Sequence, residues 1–415
     1  MNEENKKENP VGSLSFTRLP IFDSLRHLWG YELSHVPGKN IAIGSNEENI
    51  ASGTYMALQE ILDKGKKIMM KFSQTDILTN LPYALPPNRT VIKIINIDNL
   101  NKDIIKAIQQ LKKDEYEIAV SWSMDYKKNK PVFDMGDIID FNVSNQDEIK
   151  IAGLLHSNEK NDVKLLASNV DTSKLFEICS KTDFSLYQGA FFKQPENLSV
   201  KKLSSNATSR FRLMEVIEQE NPDFEKVAKV IQSDVAISFK LMSYLNSASF
   251  GFRQKIESIK DAITMLGWRN MKNWLRVALL SDLAESPQSS ELIFLSVQRG
   301  KFLEQIIIDH DFWGFKSESL FLLGMFSLLD AMLNQPMTEI VKYLPLSGKI
   351  KKALCGDKNN EYYPLLSLAK YCEEARWEES SKLVSQLGLD SKKVEIALHQ
   401  AIEWANKLEG AQIKK

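Results

Sequence analysis

DFEKVAKVIQSDVAISFKLMSYLNSASFGFRQKIESIKDAITMLGWRNMKNWLRVALLSDL, residues Asp223 to Leu283, carries three apolar stripes at helical spacing. Phe224, Val227, Ala228 and Ile231 form the first, Leu241, Met242 and Leu245 the second, and Ile259, Ala262, Ile263 and Leu266 the third. Recurrence at i, i+3, i+4 and i+7 puts each set on one face of an amphipathic helix. Ser258, three residues before Asp261, reads as an N-cap with an acidic partner. Gly267 follows the last apolar position as a stop, so a new helix is expected from about Trp268. Asn246, Ser247, Ser249 and Gly251 make a polar loop between the second and third stripes.

C-terminal to this stretch the pattern stays helical, with pieces at Val297 to Ile308, Leu365 to Tyr371, Trp377 to Leu387 and Val394 to Trp404. The apolar run Leu320 to Leu333 is interrupted by Gly324, Ser327 and Asp330 and is too short for a membrane span, so it is expected in the core. Trp274 shares an apolar face with Met271, Leu275, Ala278 and Leu279 and reads as core in the same way.

N-terminal to residue 198 the text changes. Short apolar runs at Phe16 to Phe22, Lys67 to Phe72, Thr90 to Ile95, Glu117 to Ser121, Asp137 to Phe141, Val163 to Ala167 and Leu186 to Phe192 alternate with helical segments such as Ile50 to Lys64 and Asn101 to Lys113. Alternation of this kind implies parallel pairing, and roughly seven or eight such units fit a closed barrel. The expected organisation is a disordered tail over residues 1–13, a barrel over 14–197, a polar linker over 198–210 and a helical domain over 211–408. The fold class is therefore α/β followed by all-α.

The 415 residues carry 53 Lys+Arg against 54 Asp+Glu, a formal charge of -1, which offers no general attraction to nucleic acid or anionic lipid. Cys179, Cys355 and Cys372 lack metal-ligand spacing and suit a reducing cytoplasm. The polar N-terminus has no apolar h-region, so neither a signal peptide nor a membrane partner is expected. His310-Asp311 would need further ligands to hold a metal, and the second half supplies only His399 besides.

LPIFDSLRHLWGYEL (Leu19 to Leu33), KLLASNVDT (Lys164 to Thr172) and YQGAFFKQP (Tyr187 to Pro195) resemble the opening, sixth-strand and closing motifs of EAL domains, the barrel phosphodiesterases that linearise cyclic di-GMP. The resemblance implies two divalent cations held by carboxylates and an Asn, with a water activated between them. Glu32 stands at the signature Glu, but Val36 replaces the substrate-binding Arg, Lys71 the Asn, Lys93 and Asn96 an acidic pair, and Ser121 and Trp122 an aspartate pair. Asp140 and Asn142 replace the catalytic Lys and following Asp, and Ser168 replaces a Glu; besides Glu32 only Gln188 survives, with Asp171 as a shortened acid behind the ligands. The implied barrel is degenerate, no catalytic residue, metal site or cofactor is expected, and the chain is expected not to be an enzyme. Lys71 and Lys93 are expected at the rim, extended into water, although a cyclic di-GMP receptor or residual phosphodiesterase is the alternative.

KLMSYLNSASFGF (Lys240 to Phe252), IESIKDAITMLGWRNMKNWL (Ile256 to Leu275), LFLLGMFSLLDAML and PMTEIVKYLPLS resemble the HDOD domain, a helical regulatory module, over Leu203 to about Leu408. EAL followed by HDOD is a recurring arrangement, which implies a bacterial regulatory protein acting through other signalling proteins. Asn246, Phe250, Phe252, Arg253 and Trp268 are the expected partner surface. A nucleic-acid-binding regulator is a second alternative, since the turn at Gly267 precedes a helix with Arg269, Lys272 and Arg276. Partner identity and oligomeric state are not legible.

Overall fold

The computed structural model describes residues 16–36, 61–62, 64–95, 100–122, 126–144, 151, 163–195, 204–219, 222–234, 237–238, 240–241, 258, 264–283, 288–310 and 314–412. The expected tail, most of the linker and the loop residues Asn246, Phe250, Phe252 and Arg253 lie outside them, as do the side chain of His310 and all of Asp311. Two compact units divide the chain: Met1–Asp23, Trp29–Ser168 and Asp183–Gln188 in the first, and Ser24–Leu28, Asn169–Thr182 and Gly189–Lys415 in the second.

In the first unit eight strands close a barrel in sequence order. They are β1 (Phe16–Asp23), β2 (Leu28–His35), β3 (Lys67–Phe72), β4 (Thr90–Ile94), β5 (Glu117–Ser121), β6 (Ile138–Asn142), β7 (Lys164–Ser168) and β8 (Leu186–Gln188). β2 through β8 pair in parallel, whereas β1 pairs with β8 antiparallel, so the barrel is not wholly parallel as its alternation implied. β2 was missing from the expected strands because its inward position is the charged Glu32, which hides the apolar alternation.

β8 is also shorter than the expected Leu186 to Phe192. Gly189 has φ +151, and a Cβ there would lie 2.3 Å from the Val170 carbonyl oxygen. The strand therefore ends against Val170, and Ala190–Lys193 continues as a 3-10 turn. Between strands, α1 (Gln74–Leu78) starts on a capping box of Ser73 and Asp76, and α2 (Lys102–Lys113) starts on Asn101, whose side chain accepts from the N–H groups of Asp103 and Ile104. Ile104, Ile108 and Leu111 bury one face of α2.

Among its described residues the second unit is helical apart from short connections. α3 (Ser205–Ile217) and α4 (Phe224–Ser233) are capped by Ser204 and Asp223. Residues 264–266 are helical, Gly267 adopts φ +74, and α5 (Trp268–Leu283) follows, so the stop and the new start stand as the sequence implied. Ser258 is described, but the residues of its expected helix start are not. Met271, Trp274, Leu275, Ala278 and Leu279 on α5 are buried, each a contribution of about 1.5–3 kcal/mol for the large side chains.

α6 (Ser289–His310) makes its most extensive contacts with α7 (Ser317–Phe326) and α8 (Ser391–Gln412). Leu320 through Phe326 are all buried, as expected of an interrupted apolar run in a core. No helix among the described residues is long and apolar enough to cross a membrane.

Candidate functional site

The barrel interior is built by period two. Met69, Val91, Ala119, Ile138, Leu166 and Leu186 belong to one buried apolar cluster, joined by Ile21 and flanked by Trp29. Two residues further along each strand, on the same side, stand Lys71, Lys93, Ser121, Asp140, Ser168 and Gln188. An apolar floor is thus followed, toward the carboxyl ends of the strands, by polar groups. Those ends are where barrels of this kind carry their sites.

Glu32, Lys93, Asp140 and Gln188 come from β2, β4, β6 and β8, the alternate strands that contribute one layer of a barrel interior. The contacts follow that layer. Lys93 Nζ lies 2.9 Å from Glu32 Oε2 and 2.8 Å from Asp140 Oδ2, and Gln188 Nε2 donates to Glu32 Oε2 at 3.3 Å. From β3, Lys71 Nζ reaches the other Glu32 oxygen at 2.8 Å. Asp140 Oδ1 is buried without a hydrogen bond from the described residues.

Charge and burial work against each other here. Burial disfavours an ionised Glu32, yet the ammoniums of Lys93 and Lys71 outweigh it and hold the carboxyl at about 2, down from 4.5. Burial likewise disfavours a charged Lys93, and the carboxylates of Asp140 and Glu32 reverse this, raising the ammonium above the usual lysine range. Glu32 and Lys93 are therefore both charged at neutral pH.

Lys93 does not extend into water as expected: its side chain is 7% exposed, because two carboxylates compensate its desolvation. Lys71 is 47% exposed while holding Glu32. The missed signal was reciprocal. The resemblance implies an acid where Lys93 stands and a Lys where Asp140 stands, so the two changes exchange charges across one contact.

Ser121 and Ser168 lie on the inward parity, with the Ser168 hydroxyl donating to the Phe141 carbonyl at 3.3 Å. Trp122 is not brought to the mouth. Its ring stacks on Phe141 at 5.0 Å and meets Phe133 edge-on at 5.7 Å, outside the strand whose inward residue is Asp140. Asp171 belongs to the second unit, where Gln194 Nε2 donates to its carbonyl and burial pushes its carboxyl up.

The two divalent cations implied by the EAL resemblance do not fit these residues. Both Glu32 oxygens and Asp140 Oδ2 are taken by ammoniums, and the described residues hold no group of three or more His, Cys, Asp or Glu poised for a metal.

In the second unit the cations of α5 are paired with carboxylates of that unit. Arg276 Nε and Nη2 donate to the two Glu218 oxygens at 2.6 and 2.7 Å, Lys272 Nζ lies 2.9 Å from Glu218, and Arg269 Nη2 lies 2.7 Å from Glu304. Lys272 and Arg276 are thereby withheld from phosphates, and Arg269, 59% exposed, is the one cation of the three that faces solvent, which weakens the feature behind the nucleic-acid alternative. Trp268 is half-buried at the start of α5.

Residues 203–327 match the family described as HDOD domain. This stretch is an HDOD domain. Helices α3 to α7 lie within the HDOD match, and the expected reach to residue 408 extends beyond it. Over almost its whole length the chain is similar to "Uncharacterized protein YuxH" of Bacillus subtilis (strain 168), 29% identical across 95% of this chain and 98% of that protein. It is similar as well to "Cyclic di-GMP phosphodiesterase CdgJ" of Vibrio cholerae serotype O1, 26% identical across 96% of this chain and 95% of that protein. An EAL domain protein from Listeria monocytogenes EGD-e is similar in structure at 14% identity and TM-score 0.36, over 43% of this chain and 87% of the other.

The barrel ahead of an HDOD domain and the likeness to CdgJ place the chain in relation to cyclic di-GMP signalling. They also correct one expectation. A protein without enzyme activity was expected from the exchanged ligands, and a relative matched over almost the whole of both chains that is named a phosphodiesterase overturns that.

Proposed function

We propose that the chain is a bacterial cytoplasmic signalling protein whose barrel mouth binds cyclic di-GMP and whose HDOD domain contacts other signalling proteins. The observation that carries the reading is the polar layer closed over an apolar floor at the carboxyl ends of the parallel strands, with the Lys71 ammonium half exposed above it. A dinucleotide brings phosphodiester charges, and Lys71 is the cation of the mouth that can meet them with least desolvation. The full-length relative named for cyclic di-GMP supports the choice of ligand. Calorimetric titration of the full chain with cyclic di-GMP tests it. Heat that saturates at micromolar ligand supports the reading, and a flat titration up to about 1 mM removes it.

The same relative favours one further reading, opening of the bound dinucleotide to its linear form. Incubation with magnesium or manganese and chromatographic separation of the nucleotides reads this directly. A linear product that Glu32→Gln abolishes supports turnover, and intact dinucleotide with either metal rejects it.

A further inference from the structure

Four side chains from alternate strands share one layer of the barrel, and the charge at its centre is Lys93. Its ammonium is bonded on two sides by carboxylates, from β2 at 2.9 Å and from β6 at 2.8 Å. This is the arrangement in which a carboxylate site would hold a cation, and here the cation is covalently attached. We propose that Lys93 is a built-in cation of the barrel mouth: it holds Glu32 and Asp140 in place, so that the mouth is assembled, and takes its anionic ligand, without a divalent metal.

The charge balance supports this. Glu32 and Asp140 supply two negative charges and Lys71 and Lys93 two positive ones, so the four contacting groups are neutral as a set. A divalent ion entering between the carboxylates would have to displace an ammonium whose side chain is 7% exposed and break both of its ion pairs. At such separations two like charges repel strongly in a partly dry interior. A lysine is also fixed in stoichiometry and cannot be chelated away. The Asp140 oxygen left without a hydrogen bond from the described residues marks where a second donor, from water or ligand, completes the layer. Lys93 is on this account a positioning residue, and Lys71 is the one that meets the ligand.

The full chain, titrated with Mn2+ while the free ion is read by electron paramagnetic resonance, tests the proposal without any nucleotide. Wild type and Glu32→Gln are expected to take up Mn2+ alike, with no site tighter than about 100 µM. A tighter site in wild type that Glu32→Gln removes overturns the proposal. Lys93→Ala, checked for its fold by circular dichroism, is expected to gain a site at least about tenfold tighter than any in wild type. That site should vanish in Lys93→Ala/Asp140→Asn. A folded Lys93→Ala that gains no Mn2+ site overturns the proposal too, and if Lys93→Ala does not fold, wild type against Glu32→Gln decides.

A calorimetric arm with cyclic di-GMP rests on the function proposed above. Equal affinity in EDTA and in magnesium is expected, and binding that requires magnesium overturns the built-in cation. Absence of heat in both solutions counts against the proposed ligand alone, and the manganese comparison then decides for Lys93.

Discussion

Arg299 and Glu373 form a two-point ion pair inside the helical unit, Nε to Oε2 at 2.6 Å and Nη2 to Oε1 at 2.6 Å, with both side chains almost fully buried. Lys193 adds a third contact, its Nζ 2.7 Å from Glu373, and the Arg299 Nη1 donates to the Ser327 hydroxyl at 2.8 Å. Burial raises the cost of a charged Glu373, but Arg299 and Lys193 hold its carboxyl at about 2. Glu373→Gln would strand the buried Arg299 and leave Lys193 with Glu374 alone, 3.0 Å away, so a loss of about 3–5 kcal/mol is expected in urea unfolding of the full chain. Arg299→Met/Glu373→Leu should be far less harmful than Glu373→Gln, since it removes the desolvation cost along with the attraction. A single substitution costing under about 1 kcal/mol would show the pair to be ornamental.

Acid should weaken the barrel through Glu32. Its folded value is depressed from 4.5 to about 2, so the unfolded chain binds the proton first as pH falls. Its contribution is therefore fully present above pH 4.5 and is lost as pH drops from 4.5 toward 2. Melting temperatures of wild type and Glu32→Gln should differ most at neutral pH and converge across that interval. A gap that stays constant from pH 7 to pH 3, a range of about four units, would refute the assignment.

The first of these pairs was beyond reach of the sequence, while much around both was not. The barrel, the helical unit, the turn at Gly267 and the buried face of Trp274 follow from local periods, which depend on neighbours a few residues apart. Glu32 and Lys93 are separated by 61 residues, and Glu373 and Arg299 by 74, so no local pattern joins them. Lys71 and Lys93 looked like rim lysines because a lone Lys in a strand has a cheap exit to water. Only barrel closure, which brings β2, β4 and β6 into one layer, makes the buried position favourable for Lys93. The strand boundary at Gln188 was missed for a similar reason, since the close approach of Gly189 to Val170 is a tertiary contact.

Helix α5 should behave as structure and not as a reader of nucleic acid. Arg276 is 2% exposed and bound at two points to Glu218, so Arg276→Ala leaves that carboxylate with Lys272 alone. A stability loss of about 3 kcal/mol is expected. In gel shifts with duplex DNA across a salt series, wild type and Arg276→Ala should migrate alike and unretarded. Retardation of wild type that weakens steeply with salt and disappears in Arg276→Ala would restore the nucleic-acid reading.

Lys71 separates ligand recognition from barrel stability. Its side chain is half exposed, so its ion pair with Glu32 is screened from one side and Glu32 keeps Lys93 when Lys71 is removed. Lys71→Ala should therefore shift the melting temperature little. A charge-assisted contact to a phosphodiester is worth about 1.5–3 kcal/mol, so the same substitution should weaken cyclic di-GMP binding by at least about tenfold. It should also flatten the dependence of affinity on salt, because one exposed cation no longer contributes. Lys93→Met should show the opposite division, a large loss of stability that precedes any loss of binding. If Lys71→Ala binds the dinucleotide as wild type does at low salt, the ligand does not sit over the polar layer, and the mouth is a closed structural plug.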